Sequence, residues 1–236
     1  MHAPRRVPHR HGHPLSHAAL LQCTRRAACT ACNNCDVSTP EKLIDHSLNC
    51  SIAGFTPSHR HSLVKAELAK ILRRYNFAVA VEPSLYIHNY TDGIAHKPDI
   101  TVFSPIPVAT DIVVSQQDRV PGVAARAAAK KKINLHNNAV RKAGHVFFPF
   151  ALEAHGYEHS SVQAFIKCVM QFRPRFEEQE LMRDVRTGVS VTLARARMHS
   201  VLAMFGIGAF QRKDETERDL NQGRAAHSLD EDLEEN

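Results

Sequence analysis

The feature that most constrains this fold is a series of three short apolar segments joined without an intervening amphipathic helix. Each segment is rich in β-branched residues and bounded by Pro, Asn or Gly. This pattern predicts strands over 77–83, 99–103 and 108–114. Apolar residues at helical spacing predict an amphipathic helix over 59–74, directly before them.

The sequence after the third strand becomes rich in Ala and Lys over 120–143 and then meets Gly144. This predicts a helix with a glycine stop. A fourth apolar strand is predicted over 145–153, and helices over 160–172 and 177–205. The order helix, three strands, helix, strand and C-terminal helices predicts an α/β (α+β) domain.

Composition narrows the class of protein. With 43% hydrophobic and 23% charged residues in 236, the chain can bury a core, which excludes a wholly disordered or fibrous protein. No apolar run reaches the roughly 18 residues of a membrane span, and the first residues lack the apolar core of a secretory signal. We therefore expect an intracellular protein with no membrane partner.

Charge is distributed unevenly along the chain. Lys and Arg number 30 against 24 Asp and Glu, yet the first acid is Asp36, and 229–236 hold five acids. The basic surplus of the body predicts a phosphate-backbone partner, DNA or also RNA, although ordinary solvation would explain a charge of +6 as well. Residues 1–28, rich in Arg and free of acids, predict a disordered basic arm, for which a mitochondrial transit peptide is an alternative.

Five of the six cysteines lie within one stretch of 28 residues, which favours metal binding over disulfides inside a cell. Cys32, Cys35, His46 and Cys50 have the spacing C-x2-C-x10-H-x3-C. Zn²⁺ prefers four thiolate or imidazole ligands in a tetrahedron, so this spacing predicts a zinc knuckle. Cys29 and Cys32 form a competing C-x2-C pair, which leaves the first two ligands less defined than the last two.

A pair of acids marks the second and third strands. If the hairpin folds about Pro105, opposing residues have numbers that sum to 210, so Asp99 faces Asp111. Opposing side chains are roughly 5 Å apart at Cβ, close enough for two carboxylates to share one cation. A surface Asp beside a turn would explain Asp99 equally well, but Asp111 lies in an apolar strand, where an unpaired carboxylate is costly.

Two further residues are candidates for the same site. Glu67 flanks the apolar stripe of the first helix and could complete a carboxylate cage, although an exposed helical Glu is the commoner explanation. Lys132 shares a helix face with Ala128 and His136, so its ammonium could reach a pocket, whereas three consecutive lysines usually form a solvated face.

The ordered series of motifs resembles the C-terminal zinc knuckle and restriction-like endonuclease region of site-specific non-LTR retrotransposon polyproteins, which also carry a reverse transcriptase. The resemblance covers about 32–166 and, more loosely, extends to Phe205. The matching pieces are the knuckle, His59-Arg-His61, Val81-Glu82-Pro83, Lys97-Pro98-Asp99, Asp111-Ile-Val-Val, the Ala/Lys helix, and Phe148-Pro-Phe-Ala-Leu-Glu153 with Gly156.

The resemblance implies a PD-(D/E)xK nuclease fold that nicks DNA with Mg²⁺ or Mn²⁺. Asp99 and Asp111 match the two motif acids. Val113 stands where the family usually has Lys, so its role would fall to Lys132, and Ser62 replaces an Asp found in many relatives. The chain lacks a Tyr-x-Asp-Asp polymerase motif, so we expect a separated or truncated piece of such an element.

These patterns predict a restriction-endonuclease-like core with an N-terminal zinc knuckle and C-terminal helices. The expected activity is a metal-dependent DNA endonuclease in the nucleus. The alternatives are an inactive nucleic-acid-binding remnant of the same fold and an inert structural remnant. The expected divisions are a basic arm, the knuckle, the nuclease-like domain, a helical extension and an acidic tail, over 1–28, 29–56, 57–173, 174–211 and 212–236.

Overall fold

The computed structural model describes residue 46 and residues 57–91, 94, 96–116 and 120–204. The elements follow the predicted order, with a short 3-10 helix added before β2. Their bounds are α1 Pro57–Arg74, β1 Ala78–Val81, the 3-10 helix Ser84–Asn89, β2 Ile100–Phe103, β3 Val108–Ser115, α2 Val123–Lys142, β4 Val146–Glu153, α3 Ser160–Val169 and α4 Arg175–Met204. Within these ranges the domain is a mixed α/β structure, as the sequence predicts.

The four strands form one sheet in the order β1-β2-β3-β4. β1, β2 and β3 pair antiparallel, whereas β4, which follows α2, pairs parallel to β3. The β2–β3 ladder pairs Ile100 with Thr110 and Val102 with Val108, which confirms the predicted register, since both pairs sum to 210. The four-residue connection with Pro105 and Pro107 leaves little freedom for a different register.

Strand alternation divides the buried residues between the two faces of the sheet. On one face, Ile100, Val108, Ile112 and Phe150 join the main core, which also contains apolar residues of α1, α3 and α4. On the other face, a smaller cluster formed by Tyr86, Ala109, Val140 and Phe147 lies beneath α2. Asp99 and Asp111 have the same parity as Ala109, so their side chains belong to the α2 face.

The long C-terminal helix belongs to the main core. Leu181, Val185 and Val189 of α4 are buried in the same cluster as the apolar stripe of α1. Gly188 lies where the two helices approach closely, because a Cβ there would be 2.7 Å from Ile71 Cδ1. The helix predicted as an extension is therefore part of the structure that supports the sheet. No described helix combines the length and apolarity that a membrane span requires.

Both ends of α2 are anchored, which matters because this helix carries residues of the candidate site. At its start, the buried Glu153 carboxylate accepts hydrogen bonds from the backbone N–H groups of Gly122, at 2.9 Å, and Ala125, at 3.4 Å. At its end, Gly144 adopts a φ of 75° and donates to the Arg141 carbonyl, as the predicted glycine stop requires.

Candidate active site

Two buried carboxylates lie beside each other at one end of the sheet. Asp99 immediately precedes β2 and Asp111 lies within β3, and they are 7% and 3% exposed. Continuing the β2–β3 register by one residue places them opposite each other. The backbone N–H of Ile112 donates to Asp99 Oδ2 at 2.7 Å, which holds the Asp99 carboxyl against β3.

The two acids have different proton affinities. Burial, together with the hydrogen bond to Asp111, raises the pKa of Asp99, although the hydrogen bond from His61 opposes this. Burial also acts to raise the pKa of Asp111, but the hydrogen bonds from His136 and Asp99 and the charge of Lys132 outweigh it and hold this pKa well below its ordinary value. The pKa of Asp99 is thus raised and that of Asp111 lowered, which makes Asp111 the more acidic member of the pair.

Helix α2 supplies two basic groups to Asp111. Lys132 Nζ lies 2.8 Å and His136 Nε2 lies 2.5 Å from Asp111 Oδ2. The two residues are one helical turn apart, so both point to the same face of the sheet. Lys132 is partly exposed, whereas His136 is only 2% exposed. Lys132 thus connects the acid pair with solvent.

The first helix supplies a second basic pair, on the side of Asp99. His61 Nε2 lies 2.9 Å from Asp99 Oδ1, and Lys65 Nζ lies 3.6 Å from the same oxygen. Lys65 also pairs with the Glu82 carboxylate, and this interaction lowers the pKa of Glu82. The acid pair is consequently enclosed by two lysines and two histidines from two helices, which compensates the cost of burying it.

The backbone at Glu82 is strained next to this cluster. Glu82 has a φ of 51°, in the left-handed region that a residue before proline rarely adopts. Its N–H donates to the Asp99 carbonyl at 2.8 Å, and this bend ends β1 earlier than the sequence predicts. A strained residue of this kind beside buried acids is typical of a functional site.

The structure brings three of the four predicted catalytic residues together. Asp99, Asp111 and Lys132 form the cluster described above. Glu67 lies elsewhere: its carboxylate is 3.8 Å from Lys70 Nζ and packs beside Gly188 of α4. A carboxylate cage that includes Glu67 therefore does not form in this structure.

The predicted zinc ligands cannot be placed in the same way. Cys32, Cys35 and Cys50 lie outside the described residues, and His46 is described alone, as a half-buried helical residue. The zinc knuckle therefore stays a prediction. Cys168, the cysteine within the described ranges, is half-buried and has its pKa raised by burial.

The cluster also contains groups that sequence reasoning did not assign to it. His61 and Lys65 are four residues apart, on the flank of the α1 apolar stripe opposite Glu67, and this spacing was the available signal. His136 was visible only as a neighbour of Lys132 on one helix face. Tyr90, whose hydroxyl lies 2.5 Å from His136 Nδ1, had no sequence signal.

The donor set suits a hard divalent cation. Mg²⁺ commonly takes one or two carboxylates from a protein and completes its octahedron with water and substrate phosphate. Asp99 and Asp111 supply two carboxylates from adjacent strands. Within the described ranges, no group of three or more His, Cys, Asp and Glu side chains is arranged so that it could hold a metal ion.

No family model and no curated protein matches this sequence significantly.

Proposed function

We propose that this chain is a metal-dependent DNA endonuclease, a nickase derived from a retroelement polyprotein. The observation that carries the proposal is the convergence of Asp99, Asp111 and Lys132. Two carboxylates and one ammonium at the end of a β-hairpin match the chemistry that phosphodiester hydrolysis requires. The nucleus, where DNA is met, is the proposed location.

The topology supports a restriction-endonuclease-like core. A helix precedes an antiparallel three-stranded unit, and a second helix leads to a strand parallel to the third. This is the order of helix, mixed sheet and helix that the resemblance implies. Of the two residues that match the motif acids, Asp99 lies one residue before the second strand and Asp111 lies within the third.

Asp99 and Asp111 would hold the divalent cation, Mg²⁺ or Mn²⁺. When bound, such a cation polarises a phosphate oxygen and increases the acidity of coordinated water. The hydrogen bond between the two acids supports this assignment, because carboxyl groups in hydrogen-bond contact are close enough to share a cation.

Lys132 has a distinct role in this mechanism. Its ammonium contacts Asp111 and remains 28% exposed, so it can also meet a phosphate that approaches from solvent. There it stabilises the negative charge that develops on the phosphoryl oxygens. Lys132 therefore performs, from α2, the task that the family assigns to a Lys at the position of Val113.

His61 and Lys65 contribute from the other side of the pair. Both contact Asp99, and the His61 side chain is 28% exposed. They add positive charge at the edge of the site, which attracts a phosphate backbone and favours DNA over neutral ligands. The proposed zinc knuckle, formed by Cys32, Cys35, His46 and Cys50, would add a further DNA contact.

A second candidate function is a nucleic-acid-binding module of the same fold without turnover, with DNA or RNA as its ligand. The observation that favours it is the double engagement of Asp111 by Lys132 and His136. Because Lys132 already balances the charge of Asp111 and His136 hydrogen-bonds to it, the cluster is stable without a cation. Such a protein would bind phosphates through its basic residues and leave them intact.

A plasmid-nicking assay distinguishes the two candidates. Supercoiled DNA is incubated with the full chain in Mg²⁺, in Mn²⁺, in buffer free of both, and in EDTA. We expect conversion to open circles only with Mg²⁺ or Mn²⁺. Binding without nicking under all four conditions would favour the binding module, and nicking that persists in EDTA would exclude the proposed mechanism.

A further inference from the structure

Both ring nitrogens of His136 have partners beneath the acid pair. Nε2 lies 2.5 Å from Asp111 Oδ2, and Nδ1 lies 2.5 Å from the Tyr90 hydroxyl. An ionised carboxylate only accepts hydrogen bonds, so Nε2 carries the hydrogen of the first contact. The Tyr90 hydroxyl can then donate to Nδ1, which completes a chain from Tyr90 through His136 to Asp111.

Aromatic packing and a further hydrogen bond fix this chain of hydrogen bonds in place. The His136 ring is 2% exposed and packs against the rings of Phe147, with centroids 5.4 Å apart, and Tyr90, at 5.8 Å. Tyr90 follows the 3-10 helix, which is attached to α2 by a hydrogen bond from Asn89 Nδ2 to the Ala139 carbonyl at 3.0 Å. The ring of His136 therefore has one orientation, set by groups outside the acid pair.

We propose that His136 and Tyr90 are positioning residues for the divalent-cation site. His136 fixes the direction of the Asp111 carboxylate, and Tyr90 fixes the orientation and tautomer of the His136 ring. The inference rests on the proposed function, since it concerns the carboxylates assigned there to Mg²⁺ or Mn²⁺. Groups that orient a metal-binding side chain in this way typically contribute a factor of roughly 10 to 100 in metal affinity or activity.

The same 3-10 helix offers a matched control. Tyr86 is fully buried, and its hydroxyl lies 3.0 Å from Thr101 Oγ1 and 2.8 Å from His145 Nδ1. Tyr86→Phe and Tyr90→Phe thus each remove a hydroxyl that bonds to a histidine Nδ1. Only Tyr90→Phe interrupts the chain that leads to Asp111. A purely structural role of Tyr90 predicts that the two variants behave alike.

The test measures Mn²⁺ affinity by electron paramagnetic resonance on the zinc-loaded full chain, together with the free energy of unfolding. We expect wild type to bind Mn²⁺ at a site that Asp111→Asn removes. Tyr90→Phe should weaken this binding by about tenfold or more, whereas Tyr86→Phe should leave it within about twofold, even if the stability loss is equal. His136→Gln, whose amide N–H can still reach Asp111, should retain more affinity than His136→Leu.

The experiment distinguishes failure of the positioning role from failure of the divalent-cation site. Equal Mn²⁺ affinities of Tyr90→Phe and wild type, with the Asp111-dependent site intact, would overturn the positioning role and leave the proposed function standing. Equal losses in Tyr90→Phe and Tyr86→Phe would overturn it in favour of general destabilisation. Wild-type protein without an Asp111-dependent Mn²⁺ site would overturn the divalent-cation site itself, and the positioning role with it.

Discussion

Lys132 Nζ lies 2.8 Å from Asp111 Oδ2, although Lys132 belongs to α2 and Asp111 to a strand on the sheet beneath it. Lys130 and Lys131, its neighbours in the same run, are exposed. One lysine of the three therefore differs from the others in environment. This difference allows the proposed catalytic role of Lys132 to be separated from general phosphate binding.

Lys132→Ala should slow nicking by roughly 10²-fold or more, because it removes a donor that stabilises the transition state. Asp111 keeps its contact with His136, so the fold should persist. Lys130→Ala is the matched control, since it removes the same charge from the same helix at an exposed position, and it should only loosen DNA binding. Nicking rates of the two variants at saturating DNA provide the measurement; equal rates would contradict the assignment.

Asp99→Asn should have opposite effects on the stability of the fold and on nicking activity. Because burial and Asp111 raise its pKa above the ordinary 3.8, ionised Asp99 destabilises the fold at neutral pH, and this cost disappears as pH falls to that value. Asn resembles the protonated form, so the variant should have a higher Tm than wild type at pH 7 without divalent cations, with a difference that closes toward pH 3.8.

The same variant should lose nicking, since an amide is a poor ligand for Mg²⁺ compared with a carboxylate. Thermal unfolding across pH gives the stability measurement, and the plasmid assay gives the activity. A Tm at pH 7 below that of wild type would show that Asp99 stabilises the fold through His61 and Lys65, contrary to the direction of its pKa shift.

Much of the acid pair could be predicted because it depends on local rules. A short Pro-containing connection sets the hairpin register, and strand alternation then places Asp99 and Asp111 on one face. The face of a helix likewise indicated Lys132. These features need only the periodicity of each element and the nearest turn.

The other side chains of the site are placed by the way the helices pack against the sheet. The apolar stripe of α1 has two flanks, and the sequence cannot say which one faces the end of the sheet; the flank with His61 and Lys65 does, while Glu67 faces α4. Tyr90 directly follows the 3-10 helix, a segment with neither strand nor α-helical periodicity, so it could not be assigned. Tertiary packing, rather than local pattern, decides these contacts.

Purified protein should contain one zinc per chain if Cys32, Cys35, His46 and Cys50 form a tetrahedral site. Cys50→Ser should reduce the zinc content to well below half an equivalent. Cys168→Ser is the control, because Cys168 is a half-buried residue of α3 outside the cysteine cluster. Metal analysis by mass spectrometry measures both, and a zinc content unchanged by Cys50→Ser would argue against the knuckle.

A separate experiment decides which two cysteines form the first pair of zinc ligands. Cys29→Ser should leave zinc bound if Cys32 and Cys35 form the first pair, whereas Cys35→Ser should release it. The reverse pattern would assign the C-x2-C pair to Cys29 and Cys32. Either result still supports a zinc site, since both pairs present two thiolates from one turn.

DNA affinity should come mainly from phosphate contacts, so it should vary little with sequence and fall steeply with salt. The acids at 229–236 repel the same backbone, so replacing them with Asn and Gln should tighten binding at low salt. Fluorescence anisotropy on two unrelated duplexes across a salt series measures both effects. Flat salt dependence would exclude the nucleic-acid partner in its catalytic and its non-catalytic form.

Asp111→Asn tests the chemistry most directly. The substitution keeps nearly the same shape but removes the charge that pairs with Lys132 and that a divalent cation would need. Nicking should therefore collapse, while DNA binding should persist or tighten because one negative charge has gone.

Stability should fall as well, with a defined pH dependence. Because the pKa of Asp111 is held below its ordinary 3.8, the ionised carboxylate stabilises the wild-type fold above that pH, and this contribution is lost as pH falls below it. The stability difference between wild type and Asp111→Asn should thus be largest near neutral pH and shrink in acid. Circular dichroism at pH 7 verifies that the variant is folded before nicking is compared. A folded Asp111→Asn protein that nicks DNA as fast as wild type would eliminate Asp111 from the mechanism, whatever the other variants show.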